Sequence, residues 1–249
     1  VKNFIISDIH GNLEALEAVL QEIEASDDEN HRIISLGDIV GYGPDPIRCI
    51  ELVSQEAFVS VLGNHDYGVL GLTEIDLFNR VASEAILWTR EHLTKDALNE
   101  LNRLKDRILL QKGIATFTHA SPYQPSEWHY IITYGFAKMA FAAMRTPLCF
   151  VGHSHQPVFI IESPDGSIRV IHCQEQPSIT YGASDKYIVN VGSVGQPRDG
   201  INQACYAVWD DEAQTITIKR VPYDFRLTQQ KICATELPTA LALRLETGL

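Results

Sequence analysis

Eight polar residues stand at the ends of strand-like runs: Asp8, His10, Asp38, Asn64, His65, His119, His153 and His155. Asp8 and His10 are two apart, as are His153 and His155, and in extended backbone alternate side chains share a face, so each pair is expected to aim at one centre. Carboxylates and imidazoles drawn from several strands form an N/O donor set suited to borderline or hard divalent cations. No thiol joins them, which disfavours a purely structural zinc site. Three carboxylate or amide oxygens and four imidazoles over-fill one ion, whereas two ions sharing a carboxylate would use them all. Two metals about 3.5–4 Å apart are a device for hydrolysing phosphoesters. Singly, Asp8 or Asp38 reads equally well as a helix cap or turn residue, so the weight rests on the set.

The elements that must position these groups follow from hydrophobic periodicity. Strand-like runs over Lys2–Ser7, Arg32–Leu36 and Ala57–Leu62 alternate with helical patterns over 12–25 and Pro46–Ser54. Asn12 is a candidate N-cap and Pro46 suits a first helical turn. Such alternation implies right-handed βαβ crossovers and a largely parallel sheet, with ligands at the carboxyl ends of the strands. Residues 74–104 read as helical, either a packed layer or a lid over the site. A hairpin is expected at Arg107–Gln111 and Ile114–Thr118 with Lys112-Gly113 at its turn, and Ser26–Asn30 as a solvated loop. A helix near 134–145 precedes a β-rich half, with strands at Leu148–Gly152, Val158–Glu162, Ile168–Ile171, Tyr187–Val191, Ala204–Asp210 and Thr215–Val221. Helices near 224–233 and 238–246 end the chain. The reading is one domain, 1–249, of two packed sheets with helices outside.

The motifs carry a resemblance. Asp8-x-His10, Gly37-Asp38-x-x-Gly41, Gly63-Asn64-His65-Asp66, a lone His119 after a strand and Gly152-His153-x-His155 occur in order over residues 8–155. Together they resemble the calcineurin-like metallophosphoesterase superfamily, and Asn190 to Pro197 resembles its small prokaryotic phosphoesterases. The resemblance implies an α/β fold, a four-layer α/β/β/α sandwich of two mixed sheets. It also implies two divalent ions (Mn, Fe, Ni, Co or Zn), one held by Asp8, His10, Asp38 and His155, the other by Asp38, Asn64, His119 and His153. Asp38 is then the shared ligand and His65 the catalytic histidine. The implied reaction is in-line attack on phosphorus by a hydroxide between the ions, with His65 as acid to the leaving oxygen. Protein serine/threonine phosphatases continue the second motif as G-D-x-V-D-R-G. Here Gly41 and Tyr42 replace the Asp that supports the histidine and the Arg that clamps phosphate. That moves the expectation to a small-molecule or nucleotide phosphoester.

Other residues are weaker candidates for substrate contact: Asn12, which capping explains equally well; Tyr42, in the place of the missing Arg; His129, in an aromatic loop; and Arg198, in a Gly- and Pro-rich loop where a surface salt bridge competes. The net charge of −12 argues against broad nucleic-acid or anionic-membrane binding, and no apolar run is long enough to span a bilayer. Five scattered cysteines without a C-x-x-C pair, and no visible signal peptide, suit a cytoplasmic protein with reduced thiols. The competing functions are a catalytically silent binding scaffold, a nuclease and a dinucleoside-polyphosphate hydrolase. Completeness of the ligand set distinguishes the first, and the acidic balance counts against the second.

Overall fold

The computed structural model describes residues 1–26, 31–104, 108–111 and 113–249. Most of the expected Ser26–Asn30 loop, and Arg107 and Lys112 of the expected hairpin, lie outside these residues. In chain order the strands are β1 (Lys2–Ile6), β2 (His31–Ser35), β3 (Ala57–Ser60), β4 (Ile108–Gln111), β5 (Ala115–Thr118), β6 (Leu148–Val151), β7 (Val158–Glu162), β8 (Ile168–His172), β9 (Ser178–Thr180), β10 (Lys186–Asn190), β11 (Ala204–Asp210) and β12 (Thr215–Val221). The helices are α1 (Leu13–Glu24), α2 (Pro46–Glu56), α3 (Asn64–Leu70), α4 (Arg80–His92), α5 (Lys95–Arg103), α6 (Tyr134–Ala143), α7 (Phe225–Cys233) and α8 (Ala240–Thr247).

Alternation along β1 decides the layering. Phe4 and Ile6 join a core shared with α1, α2 and α5, while Ile5 points the other way into a second core between the sheets. One sheet runs β3-β2-β1-β11-β12-β9 and the other β4-β5-β6-β10-β7-β8. β1, β2 and β3 are parallel, as are β5, β6 and β10, and antiparallel strands complete both sheets. Phe117, Phe150, Phe159 and Trp209 fill the space between the sheets, and burying such a side chain is worth about 1.5–3 kcal/mol. Outside the second sheet, Ala140 and Phe141 of α6 pack on Cys149, Val151 and Ile188. The result is the four-layer α/β/β/α arrangement of two mixed sheets.

Three differences from the sequence reading bear on the site. Gly63-Asn64-His65-Asp66 does not simply end a strand but opens α3, because the Asp66 carboxylate turns back to accept from Gly63 N–H at 2.9 Å and Gly71, at φ 70°, ends the helix. The short edge strand β9, which pairs with β12, has no counterpart in the sequence reading. Residues 74–104 resolve into α4 and α5, capped by Asn79 and Thr94. Ala82 and Ala85 pack on Leu237, Leu241 and Leu245, and Ala97 and Leu101 join the core beneath α1 and α2. Among the described residues no helix is long and apolar enough to cross a membrane.

Candidate metal centre

The carboxyl ends of β1, β2, β3, β5 and β6 meet at one edge of the sandwich, and the eight polar residues sit in the loops that leave them. The first two loops are zipped together. Asp8 N–H donates to Gly37 O at 3.0 Å, His10 N–H to Asp38 O at 2.8 Å and Gly11 N–H to Ile39 O at 2.8 Å. From the loop after β10, Val194 and Gly195 N–H groups donate to Ser7 O and Asp8 O, both at 2.9 Å. The pairs do not converge through extended backbone as expected. Asp8, His10, Asp38, His153 and His155 have φ of 54°, 53°, 51°, 65° and 59°, so each occupies the left-handed region, which Asp and His tolerate better than most side chains. Each such residue costs about 1 kcal/mol or more, held here by the surrounding hydrogen bonds.

Three imidazoles have one nitrogen committed to the backbone. His10 Nδ1 lies 3.2 Å from Val40 O, His119 Nδ1 2.9 Å from Leu36 O and His155 Nδ1 2.5 Å from Gln196 O. Donation to a carbonyl fixes the tautomer and leaves the Nε2 lone pair of His10 and His155 free to ligate, whereas His119 Nε2 can do so once it gives up its proton. Among the described residues these nitrogens face acceptors. His10 Nε2 faces His155 Nε2 at 3.1 Å, and Asp38 Oδ2 lies 3.6 Å from His10 Nε2 and 3.3 Å from His119 Nε2. Asp8 Oδ1 is 3.2 Å from His155 Nε2, and Asn64 Oδ1 3.2 Å from His119 Nε2. His153 Nε2 is buried without a hydrogen-bond partner, while its backbone N–H donates to the Asp8 carboxylate at 3.0 Å. Acceptors converging on acceptors call for cations between them. Asp8, His10 and His155 form one group and Asp38, His119 and His153 another, each with one donor atom per residue within 4.8 Å of the others. The donor set therefore fits divalent cations.

The electrostatics agree. Burial would raise Asp8 and Asp38, but the neighbouring imidazoles outweigh it and hold both carboxyls well below the ordinary range, ionised. Burial lowers His10 and His155 and carries His153 down to about 3, so these rings are neutral at pH 7. His119 departs from them. Burial works against its charge, but Asp38 and Asp8 prevail and raise it to about 9.

His65 lies among rings and forms a third donor group with His10 and Asp38, one atom of each within 4.8 Å of the others, although among the described residues no carboxylate hydrogen-bonds to its Nδ1. Its ring centroid is 4.4 Å from Tyr42, 4.8 Å from His10 and 5.4 Å from Phe78. Its Nδ1 has no hydrogen-bond partner, and a Cβ at Gly41 would come within 2.5 Å of it. Glycine in place of the supporting Asp therefore lets the backbone press against the imidazole, and packing takes over the orienting role. Burial holds His65 at about 4. Its backbone N–H donates to Asp38 Oδ1 at 2.8 Å, and a Cβ at Gly63 would sit 2.1 Å from that oxygen. Asp66 is a structural member that the motif alone does not assign. It accepts from Ile39, Val40 and Gly63 N–H groups, tying the loop after β2 to α3, and burial with Asp38 nearby raises it to about 7.

The weaker candidates divide. Tyr42 is buried against His10 and His65. Asn12 is fully engaged elsewhere, capping α1 through Ala15 N–H and bonding Gly195 O, Tyr223 Oη and Thr228 Oγ1. His129 turns away to Tyr123, Phe136 and Gln124, while its neighbours reach the centre: Tyr130 stacks on His153 at 4.0 Å and Trp128 lies edge-on to His119 at 5.9 Å. Among the described residues Arg198 makes no salt bridge; its guanidinium lies over Tyr42 and donates to Gln196 Oε1.

Comparison with known proteins accords with this geometry. The family model for calcineurin-like phosphoesterases matches residues 2–157. The uncharacterized protein MJ0912 of Methanocaldococcus jannaschii is 40% identical, over 98% of this chain and 97% of its own length. The crystal structure of a metallophosphoesterase from Sphaerobacter thermophilus matches with a TM-score of 0.86 at 40% identity, covering 100% of this chain and 99% of that one. The hypothetical protein PH1004 from Pyrococcus horikoshii shares the fold, with a TM-score of 0.78 at 19% identity over 100% of this chain and 98% of its own. With the family model spanning well over half of the residues and whole-length relatives at 40% identity, this chain belongs to the calcineurin-like phosphoesterase family.

Proposed function

We propose that the chain is a dinuclear-metal-dependent phosphoesterase acting on a small-molecule or nucleotide phosphoester. The supporting observation is the meeting of backbone-pinned imidazole lone pairs and two ionised carboxylates from both sheets at one buried point. Asp8, His10, Asp38 and His155 would hold one ion and Asp38, Asn64, His119 and His153 the other, with Asp38 shared. When bound, two such cations acidify water and neutralise phosphoryl oxygens. The residues of the chain supply the rest. Asp66 and the zipped loops keep the ligands from relaxing apart. His65, held by Tyr42, Phe78 and the Gly41 backbone, would act as the proton donor to the leaving oxygen. Burial disfavours its charged form, so its protonation would depend on the negative charge of a bound substrate. Gly41 and Tyr42, standing where protein phosphatases carry Asp and Arg, favour a small substrate over a phosphoprotein.

Chelated protein reloaded with Mn²⁺, Ni²⁺, Co²⁺, Mg²⁺ or Zn²⁺ should take up about two equivalents and hydrolyse aryl phosphate mono- or diesters. Asp38→Ala should lose both properties. Turnover with full metal in that variant would refute the assignment, and inactivity of the parent with every metal would favour a silent scaffold.

A further inference from the structure

Two of the arginines that pair with no carboxylate among the described residues stand beside the centre. Arg48, Arg80, Arg103, Arg169 and Arg220 each meet a carboxylate, as expected in a chain with 32 Asp and Glu against 20 Lys and Arg. Arg198 and Arg244 instead converge on one neutral oxygen. Gln196 Oε1 accepts from Arg198 Nη2 at 2.7 Å and Nε at 3.3 Å, and from Arg244 Nη1 at 3.1 Å. Among the described residues neither guanidinium has a carboxylate within 4.0 Å, and both are half-buried. Placing two like charges on a shared amide is unfavourable unless an anion joins them. Burial, then Arg198 beside it, lowers Arg244.

The pair is coupled to the metal centre by direct contacts. Gln196 O takes the His155 Nδ1 hydrogen bond. Arg198 lies over the Tyr42 ring at 5.7 Å, and that ring lies 4.4 Å from His65 and 4.6 Å from His10. The Arg198 guanidinium is thus no more than about 10 Å from the His65 ring, with Tyr42 between. That span is short enough to be bridged by a group attached to a phosphoryl at the centre. Arg244 belongs to α8, beyond the residues that the family model matches.

We propose that Arg198 and Arg244 form an anion-binding subsite that takes a second oxyanion, carboxylate or phosphate, of a substrate held at the centre by its phosphoryl group. The substrate class is then a phosphoester bearing an additional negative group. This rests on the phosphoesterase reading above, and two readouts keep the two apart. In chelated, metal-free protein, calorimetric titration with inorganic pyrophosphate should show binding that weakens about ten- to a hundredfold in Arg244→Met. The same loss is expected in Gln196→Glu, which keeps both guanidiniums but gives them a carboxylate of their own. In metal-loaded enzyme, the kcat/KM preference for 2-phosphoglycerate over glycerol 2-phosphate, or for fructose 1,6-bisphosphate over fructose 6-phosphate, should fall by a similar factor in both variants. The pair of substrates that responds identifies carboxylate or phosphate as the group bound. Melting temperatures near the parent's establish that the variants fold. Pyrophosphate binding unchanged in both variants, or substrate preferences that neither variant alters, overturns the subsite even in an active enzyme. Loss of pyrophosphate binding in both variants without turnover of any phosphoester supports the subsite and overturns the phosphoesterase reading instead.

Discussion

Metal uptake should expel one proton from His119. Its Nδ1 is committed to Leu36 O at 2.9 Å, and its Nε2 faces only acceptors: Asn64 Oδ1 at 3.2 Å, Asp38 Oδ2 at 3.3 Å and Asp8 Oδ1 at 4.0 Å. In the metal-free protein that nitrogen carries a proton, with the group raised from 6.5 to about 9 by the carboxylates against the pull of burial. A cation must displace it. At pH 7, two units below that value, the competition costs about 3 kcal/mol relative to the deprotonated ring, so apparent affinity is about fiftyfold weaker than at pH 9. His10, His153 and His155 are shifted the other way and bring no proton at pH 7. Calorimetry in buffers of differing ionisation enthalpy should count about one proton from this group at pH 7, declining as pH passes about 9. Release from water acidified by the ions grows with pH instead, so the two separate by slope. The raised His119 also adds stability to the metal-free fold that is complete below pH 6.5 and lost as pH rises through about 9. Affinity flat between pH 7 and 9, with release near zero at pH 6, would refute the assignment.

Gly63→Ala should lower the melting temperature by about 2–10 °C and reduce metal content, because its Cβ would meet Asp38 Oδ1 at 2.1 Å; a parent-like melt and metal content would contradict it. Gly41→Ala, at φ 94° and 2.5 Å from His65 Nδ1, should cut kcat by about ten- to a hundredfold while metal content stays near the parent's. Unchanged kcat would mean that the Gly41 backbone does not set the imidazole. The metal-free fold should also be acid-sensitive. His65 and His153, lowered to about 4 and 3, contribute stability that falls as pH drops from 6.5 towards those values, about 3 and 5 kcal/mol in full. Asp66, raised to about 7, opposes this by gaining stability as pH falls through 7, but His10 and His155 add to the loss. Melting temperatures that stay level from pH 7 to 4 would count against these burials.

Much of the frame was legible because it depends on local composition. The runs at β1, β2, β11 and β12 are apolar, β-branched or aromatic segments closed by Gly, Asp or Asn, and the structure reproduces them within a residue or two. The convergence of the candidate ligands was legible too, although its stated cause was not. Asp and His are permissive at positive φ but do not announce it, and only the cross-strand hydrogen bonds around Gly37 to Ile39 impose it. α3 escaped because Asn64 to Leu70 holds a glycine and lacks a clean apolar stripe; a carboxylate folding back on Gly63 starts the helix, not periodicity. In the aromatic loop, left-handed backbone at Gln124 and Trp128 turns His129 outward and presents its two neighbours, a reversal that spacing cannot report. Arg244 sits in a helix whose pattern records only packing, so its meeting with Arg198 belongs to tertiary structure alone.

The left-handed backbone at Asp8, His10, Asp38, His153 and His155 restricts how the centre can be redesigned. Exchanging one metal for another is usually attempted by swapping donor atoms, such as Cys for a softer ion or Glu for a longer oxygen reach. At these positions each replacement must also accept positive φ, a conformation in which Asn and Asp are favoured and β-branched residues are excluded. The backbone thus filters the alphabet of donors before their coordination chemistry is tested. Selection for a new metal should accordingly succeed first at Asn64 and His119, the ligand candidates outside the positive-φ set.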